Sequence, residues 1–161
     1  MTDNVTSAIV AGIRDIACSK GYTVSTAESC TSGQIAALLT SASGSSGYFQ
    51  GGITAYQNEL KIKFLEVSES DIAKYDVVSR QVAEQMVRGA CRLFGTKFAI
   101  SSTGYADTGN GTIPSGTIWI AWGSENDIHS CCQTTDNGRE ANTRNAAILA
   151  VSKFLDYLNE L

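Results

Sequence analysis

The sequence has no long apolar run and no excess of basic residues. Of its 161 residues, 12 are Lys or Arg and 16 are Asp or Glu, so the formal net charge is -4. Non-specific nucleic-acid binding and anionic-membrane binding both need a basic face, and this balance excludes them while it permits a local basic pocket. No apolar run approaches the ~18–20 residues that cross a bilayer. The polar, acidic start Met1–Asn4 lacks the basic flank and apolar centre of a signal peptide.

Metal ligands and a catalytic histidine are scarce as well. The five cysteines are odd in number and lack metal-like spacing, which predicts packed free thiols in a reducing, cytoplasmic environment. Cys131 and Cys132 are adjacent, so in the strand predicted there their thiols point to opposite faces and do not form a metal-binding pair. The one histidine, His129, is interpreted as a packed or surface residue, which weakens a Ser-His-Asp mechanism. We therefore expect no metal site.

Motifs that cradle phosphates are also missing. The sequence has no Gly-x-x-x-x-Gly-Lys loop, and no Gly-x-Gly-x-x-Gly follows the first predicted strand. Nothing in the residues therefore indicates a nucleoside-triphosphate or dinucleotide cofactor.

What the sequence does contain is an alternation of helical and strand patterns. Hydrophobic residues make up 43% and charged residues 17%, the balance of a folded globular chain. The alternation predicts one α/β domain over residues 1–161, and two neighbouring strands near the end predict a mixed sheet. The predicted strands are 23–27, 51–56, 98–103, 117–122 and 129–134; the predicted helices are 5–20, 34–40, 79–94 and 139–158, with short helices after 58 and over 67–75.

The stretch 26–33 combines small hydroxyl residues with a strand-to-helix turn. The first N–H groups of a helix lack internal partners, so such a turn suits an anion. It equally suits a serine nucleophile, Ser29, if a base lies within reach. Thr31 or Ser32 is predicted to cap the helix that follows.

With the histidine set aside, a lysine remains as a candidate base for this serine. Burial or nearby cations lower the pKa of a lysine, and a neutral lysine accepts a serine proton. Lys61 and Lys63 both follow Tyr56, and they do not share a helix face. The residues alone leave the role of the lysine open, because most lysines are exposed and solvated. The residues also leave the role of the hydroxyl-rich loop 41–47 undecided: it is either a connector or part of the lining of a pocket.

Short motifs spread along the chain match those of one known family. They are Ala27-Glu28-Ser29-Cys30-Thr31-x-Gly33, Gly44-Ser45-Ser46, Tyr48-Phe49, Gly52, Tyr56-x-Asn58-Glu59-x-Lys61, Val78-Ser79, Thr103-Gly104 and Gly116-Thr117-Ile118-Trp119. This set resembles the CinA C-terminal domain family in order and over almost the whole chain. The resemblance implies a three-layer α/β/α sandwich with a mixed, mostly parallel sheet, in a homo-oligomer. Stand-alone members of this length hydrolyse the carboxamide of nicotinamide mononucleotide to the acid and ammonia.

The resemblance also implies the catalytic residues. Ser29 would be the nucleophile and Lys61 its base, with Tyr56 orienting the lysine or relaying a proton. Ser46, in the Gly-Ser-Ser loop, is the rival hydroxyl. The implied reaction passes through an acyl-enzyme that water hydrolyses, and it needs no metal or redox cofactor.

For a small-molecule substrate, the resemblance implies a set of binding residues. Thr103 would hydrogen-bond near the reacting amide or the ribose, and Arg139 would meet the 5′-phosphate, with Arg144 a weaker candidate. The N–H groups of residues 31–33 would hold either that phosphate or the oxyanion, two uses that the sequence does not separate. The predicted binding residues are Thr31, Gly33, Ser45, Thr103, Gly104 and Arg139.

The chain departs from the family pattern beside these residues. Ser32 replaces a glycine, and the aspartate that precedes the equivalent of Arg139 is gone. In the loop after the third strand, a glycine has become Asp107, a proline has become Thr108 and a lysine has become Ile113. Asp107 and the lost lysine both make the pocket less favourable for an anion. Two functions therefore stand: an amidohydrolase, or a non-catalytic nucleotide-binding or regulatory homologue.

Overall fold

The computed structural model describes residues 3–161 and shows a five-stranded sheet between two layers of helices. The helices are α1 (Asn4–Lys20), α2 (Gln34–Leu39), α3 (Asn58–Leu65), α4 (Glu69–Tyr75), α5 (Arg80–Phe94) and α6 (Arg139–Glu160). The strands are β1 (Val24–Glu28), β2 (Phe49–Thr54), β3 (Phe98–Gly104), β4 (Ile118–Ser124) and β5 (Asp127–Gln133). This alternation of elements is the one that the hydrophobic pattern predicts.

The sheet has the strand order β2-β1-β3-β4-β5. Strand β1 pairs in parallel with both β2 and β3, whereas β4 is antiparallel to β3 and to β5. Four of the five strands therefore point in one direction. The prediction of a mixed, mostly parallel sheet is confirmed.

Each face of the sheet carries its own apolar core. Val24 of β1 packs in the core under α1, α2 and α6, and Ala27 of the same strand packs in the core under α3 and α5. Alternate strand residues point to opposite faces, so one short strand supplies both cores. The larger core includes Ile13, Ile35, Leu39, Phe98, Ile100 and Phe154, and the smaller includes Leu65, Val82, Met86, Val87 and Ala90. These two cores confirm the three-layer sandwich.

A glycine lets α3 lie close against α5. A Cβ atom on Gly89 would lie 2.1 Å from the carbonyl oxygen of Leu65, so a larger residue there would push the helices apart. Leu65 lies one turn after Lys61 and on the same helix face, because residues four apart are neighbours on a helix. The helix contact that buries Leu65 therefore also turns Lys61 inward.

The carboxyl ends of β1, β2 and β3 meet at one edge of the sheet, where the sites of such folds form. Strand β2 ends at Thr54, two residues before the predicted end. Ala55 still donates its N–H to the carbonyl oxygen of Glu28 at 2.8 Å. Ala55 and Tyr56 thus leave the sheet beside the end of β1, and their carbonyl groups are free to turn toward α3.

Two further findings bear on the class of protein. No helix within residues 3–161 combines the length and the apolarity needed to cross a bilayer. The five cysteines are free thiols, and Cys30 and Cys91 are buried.

Candidate active site

Two side chains meet where the end of β1 faces α3. Ser29 lies in the turn directly after β1, and Lys61 lies on the inward face of α3. The Nζ atom of Lys61 lies 2.9 Å from the Oγ atom of Ser29. The exposed fraction is 1% for Lys61 and 8% for Ser29. The structure thus brings the predicted nucleophile and base into direct contact, shielded from bulk water.

Backbone carbonyl groups hold the amine of Lys61. Nζ donates to the carbonyl oxygen of Ala55 at 2.7 Å and to that of Tyr56 at 3.0 Å. Within residues 3–161, no carboxylate forms an ion pair with it. Burial without a negative partner disfavours the charged form and lowers the pKa of Lys61 to about 8. Roughly a tenth of the amine is then neutral at pH 7, as a proton acceptor must be.

The thiol next to the serine does not compete with it. Burial raises the pKa of Cys30 to about 12, so its thiol stays protonated at neutral pH. The group that faces the lysine is the hydroxyl of Ser29, the predicted nucleophile.

Buried hydrogen bonds to β3 fix the turn that carries Ser29. The N–H of Ser29 donates to the carbonyl oxygen of Ser102 at 3.1 Å and lies 3.3 Å from its Oγ. The hydroxyl of Thr31 lies 2.6 Å from the Oγ of Ser102 and 2.6 Å from the Glu28 carboxylate. Sequence reasoning missed Ser102, because it lies 73 residues from Ser29 and no local pattern links the two.

The carboxylate of Glu28 caps α2. Its two oxygens accept the N–H groups of Ile35 at 2.8 Å and of Ala36 at 3.0 Å, and the side chain is 1% exposed. The predicted cap by Thr31 or Ser32 is wrong, because a glycine holds the N-cap position and Thr31 donates to Glu28 instead. Since a carboxylate already occupies these donors, this helix end offers less to a substrate phosphate than the sequence predicts.

The turn requires left-handed backbone at two successive residues. Ser32 has φ 50° and Gly33 has φ 94°. A left-handed conformation costs a residue with a Cβ about 1–2 kcal/mol, and glycine avoids that cost. A glycine at position 32 would adopt this backbone without strain, whereas Ser32 adopts it at some cost in stability.

A cleft of about 220 Å³ leads to Ser29 and Lys61. Thr103 and Gly104, at the end of β3, line one wall. The hydroxyl of Thr103 donates to the carbonyl oxygen of Val77 at 2.9 Å and ties that wall to the segment before α5. A Cβ atom on Gly104 would lie 2.6 Å from Cγ1 of Ile118, so glycine permits the close approach of β4.

Arg139, the first residue of α6, bridges two walls of the same cleft. Its Nη2 donates to the hydroxyl of Tyr56 at 3.0 Å, and its Nη1 donates to Oδ1 of Asp107 at 2.9 Å. The bond to Tyr56 and the charge of Asp107 raise the pKa of Arg139. Tyr56 thus contacts Lys61 through its backbone carbonyl, while its phenol contacts Arg139.

Ser45 and Ser46 lie at the opposite edge of the sheet. They form a short 3₁₀ turn, Ser45–Gly47, that precedes β2, whereas Ser29 follows the parallel strand β1. The length of β1, five residues, therefore separates Ser46 from Lys61. Neither serine lines the cleft in this chain.

Other predicted residues also lie outside the cleft. The hydroxyl of Thr31 points into the network with Glu28, and Gly33 shapes the turn through its backbone. Arg144 lines a separate surface depression. His129 lies on the edge strand β5 with its Nε2 3.0 Å from Asp127, and its side chain is half exposed. This placement agrees with its interpretation as a packed or surface residue.

Asp76 fixes the loop that forms the outer wall. Its carboxylate accepts the hydroxyl of Tyr105 at 2.9 Å and the amide of Asn110 at 2.7 Å. It also accepts the N–H of Val78 at 2.8 Å. Sequence reasoning missed Asp76, because its partners lie 29 and 34 residues further along the chain. Only the Asn110-Gly111 pair, a common turn signal, points to part of this arrangement.

Known protein sequences are similar to this chain over most of its length. The pattern that defines the CinA C-terminal domain family matches residues 6–158. The chain is 40% identical over 134 residues to the nicotinamide-nucleotide amidohydrolase PncC of Pseudomonas putida. The aligned region covers 82% of this chain and 84% of that protein. It is 38% identical over 141 residues to a CinA-like protein of Cytophaga hutchinsonii, covering 86% of this chain and 34% of that protein. The chain thus spans about a third of the length of that CinA-like relative.

Solved structures share the same fold. The competence/damage inducible protein CihA of Agrobacterium tumefaciens superposes with a TM-score of 0.91 at 31% identity, over 99% of this chain and 98% of that one. The competence damage-inducible protein A of Klebsiella pneumoniae gives a TM-score of 0.91 at 26% identity, over 96% and 97%.

Proposed function

This chain belongs to the CinA C-terminal domain family, and we propose that it is an amidohydrolase that converts the carboxamide of nicotinamide mononucleotide to the acid and ammonia. The observation that carries the proposal is the contact of 2.9 Å between Lys61 Nζ and Ser29 Oγ inside a cleft. The name of the Pseudomonas putida relative supports the substrate.

The contacts of Lys61 suit a proton acceptor. A neutral amine has two N–H bonds and one lone pair. The carbonyl groups of Ala55 and Tyr56 accept the two N–H bonds, so the lone pair faces the hydroxyl of Ser29. As Ser29 Oγ attacks the carboxamide carbon, its proton moves to Nζ and a tetrahedral intermediate forms.

The second half of the reaction regenerates both groups. The C–N bond breaks, and the ammonium of Lys61 gives its proton to the leaving nitrogen, so ammonia departs and an ester on Ser29 is left. Water then attacks the ester carbon and passes a proton to neutral Lys61. When the ester C–O bond breaks, Lys61 returns that proton to Ser29 Oγ. The sum is amide and water in, acid and ammonia out.

Arg139 is the cation that we assign to the phosphate of this substrate. It lines the same cleft as Ser29 and is half exposed, and it starts a 22-residue helix whose N-terminus favours an anion. The five free thiols support the expectation of a reducing, cytoplasmic compartment. Self-association stays a prediction.

Ammonia release from nicotinamide mononucleotide tests this function. We expect turnover by the wild-type chain and its loss in Ser29→Ala, with Ser46→Ala as the matched control that keeps activity. Absence of turnover in the wild type would refute the proposed reaction. Turnover that survives Ser29→Ala but not Ser46→Ala would be consistent with an amidohydrolase but would show that Ser29 is not its nucleophile.

The ion pair of Asp107 with Arg139 favours a second candidate, a nucleotide-binding or regulatory homologue without catalysis. A carboxylate at 2.9 Å already occupies the cation that we assign to the phosphate. Binding of nicotinamide mononucleotide without ammonia release, measured on the same preparation, would support this second function.

A further inference from the structure

Three charged side chains line the cleft, and two of them neutralise each other. Lys61 lies on the floor beside Ser29, while Arg139 and Asp107 form an ion pair nearer to solvent. When Lys61 is in the neutral form that catalysis needs, the lining carries one positive and one negative charge. The cleft then has no net charge with which to attract an anion.

Without this partner, Arg139 would be an open anion site. It is the first residue of α6, and the N-cap residue of that helix is Gly138, which has no side chain with which to cap it. The guanidinium is half exposed and donates from two nitrogens in a fixed plane. A phosphate at this position would gain from both the guanidinium and the helix N-terminus.

The fold holds Asp107 in front of this site. The preceding residue, Ala106, is buried, and its carbonyl oxygen accepts the Asn142 amide at 2.8 Å. Tyr105 donates its N–H to the carbonyl oxygen of Thr117 at 2.9 Å, which fixes the strand end before it. Backbone bonds thus place the Asp107 carboxylate beside Arg139.

The pair is exposed enough for a ligand to replace it. The exposed fraction of the side chain is 52% for Arg139 and 48% for Asp107. Solvent screens an ion pair in this setting, so its strength is modest. An anionic group of a substrate therefore competes with the Asp107 carboxylate for Arg139 and also meets its negative charge.

We propose that Asp107 is a specificity-determining residue: its carboxylate competes with the substrate phosphate for Arg139, so the cleft binds nicotinamide mononucleotide less tightly than it would without Asp107 and discriminates less against amides without a negative charge at that position. This inference rests on the proposed amidohydrolase function, because it concerns the substrate class of the same site.

Binding to a chain that cannot turn over tests the role of Asp107 directly. In a Ser29→Ala background, Kd is measured by calorimetry for nicotinamide mononucleotide and for the corresponding nucleoside, which lacks the phosphate. We expect Asp107→Asn to tighten nucleotide binding by about tenfold, because the competing charge is removed. Nucleoside binding should change less than about twofold, since no phosphate is present to meet Arg139.

Asp15→Asn is the matched control. It removes the same charge from an exposed aspartate that is also paired with an arginine, Arg14, and that does not line the cleft. It should leave both Kd values unchanged. Asp107→Gly, a second variant, removes the side chain entirely and should reproduce the effect of Asp107→Asn.

Several outcomes would overturn the assignment of Asp107. They are an unchanged nucleotide Kd, an equal gain for nucleotide and nucleoside, the same gain in Asp15→Asn, or no nucleotide binding by either Asp107 variant. Because the readout is binding without chemistry, it is separate from the proposed reaction. A wild-type chain that releases no ammonia refutes the amidohydrolase, while the ratio of the two Kd values still decides the role of Asp107.

Discussion

The floor and the mouth of the cleft differ in how strongly the fold controls their charges. On the floor, Lys61 and Ser29 are buried, and backbone groups hold both the amine and the turn. At the mouth, Arg139 and Asp107 are half exposed and hold mainly each other. We propose that burial sets the proton chemistry of the floor and that the exposed charges set substrate recognition at the mouth. We therefore expect the floor to tolerate little change and the mouth to tolerate substitutions that alter the substrate.

The largest effect is expected on the floor, from Lys61→Met. Methionine fills a similar volume but has no proton acceptor, so kcat/KM for amide hydrolysis should fall by about a thousandfold. Lys63→Met is the control, because Lys63 is exposed on the same helix and should keep full activity. The measurement is ammonia release under saturating and limiting substrate. A Lys61→Met chain with most of its activity would remove Lys61 from the mechanism.

The next largest effect is expected in the pH dependence of kcat/KM, which reports the protonation of Lys61 on the floor. Because burial lowers the pKa of Lys61 to about 8, the neutral base is scarce at low pH and becomes abundant as pH rises through that value. We expect kcat/KM to rise roughly 50-fold between pH 6 and pH 8 and to level off above pH 9. A rate that is flat over this range, or that falls, would contradict a lysine base in this environment.

A smaller effect, on stability, is expected from Glu28→Gln, at the residue that precedes Ser29 and caps α2. The buried carboxylate accepts three hydrogen bonds, from Thr31, Ile35 and Ala36, and an amide replaces one acceptor oxygen with a donor. The free energy of unfolding should fall by about 2 kcal/mol. Urea unfolding of this variant beside Glu160→Gln, an exposed carboxylate on α6, provides the comparison. Equal stability of the two variants would show that the cap matters little.

The smallest effect is expected from Ser32→Gly at the turn. Glycine relieves the left-handed backbone at φ 50°, so the free energy of unfolding should rise by about 0.5–1 kcal/mol. Ser43→Gly is the control, because Ser43 is exposed and has no positive φ, and glycine there should not stabilise the chain. Thermal unfolding of both variants makes the comparison. Destabilisation by Ser32→Gly would mean that its hydroxyl contributes more than its backbone costs.

The helices and strands were predictable because their apolar spacing is regular. The strand over 98–103 and the helix over 139–158 lie within one or two residues of β3 and α6. The end of β2 was placed two residues late, since Ala55 and Tyr56 are apolar enough to continue a strand. Their carbonyl groups accept hydrogen bonds from Lys61, a tertiary contact that no local pattern records.

The site was predictable only in part, for the same reason. The motif resemblance selects Ser29 and Lys61, which the structure brings together. It also selects Ser46, because a motif does not show that this serine lies at the opposite edge of the sheet. The pair of Asp107 with Arg139 spans 32 residues and depends on how the loop after β3 is anchored. Contacts of this kind follow from packing, so sequence reasoning finds the residues and misses their partners.

Detection of the acyl-enzyme tests the central role of Ser29 most directly. The wild-type chain is mixed with nicotinamide mononucleotide, quenched in acid during turnover, and mapped by peptide mass spectrometry. A Ser29 nucleophile predicts an ester of the substrate acid on the peptide that contains Ser29, absent in Ser29→Ala. Turnover with the adduct on another hydroxyl, or with that peptide unmodified under conditions that trap the ester, would contradict it.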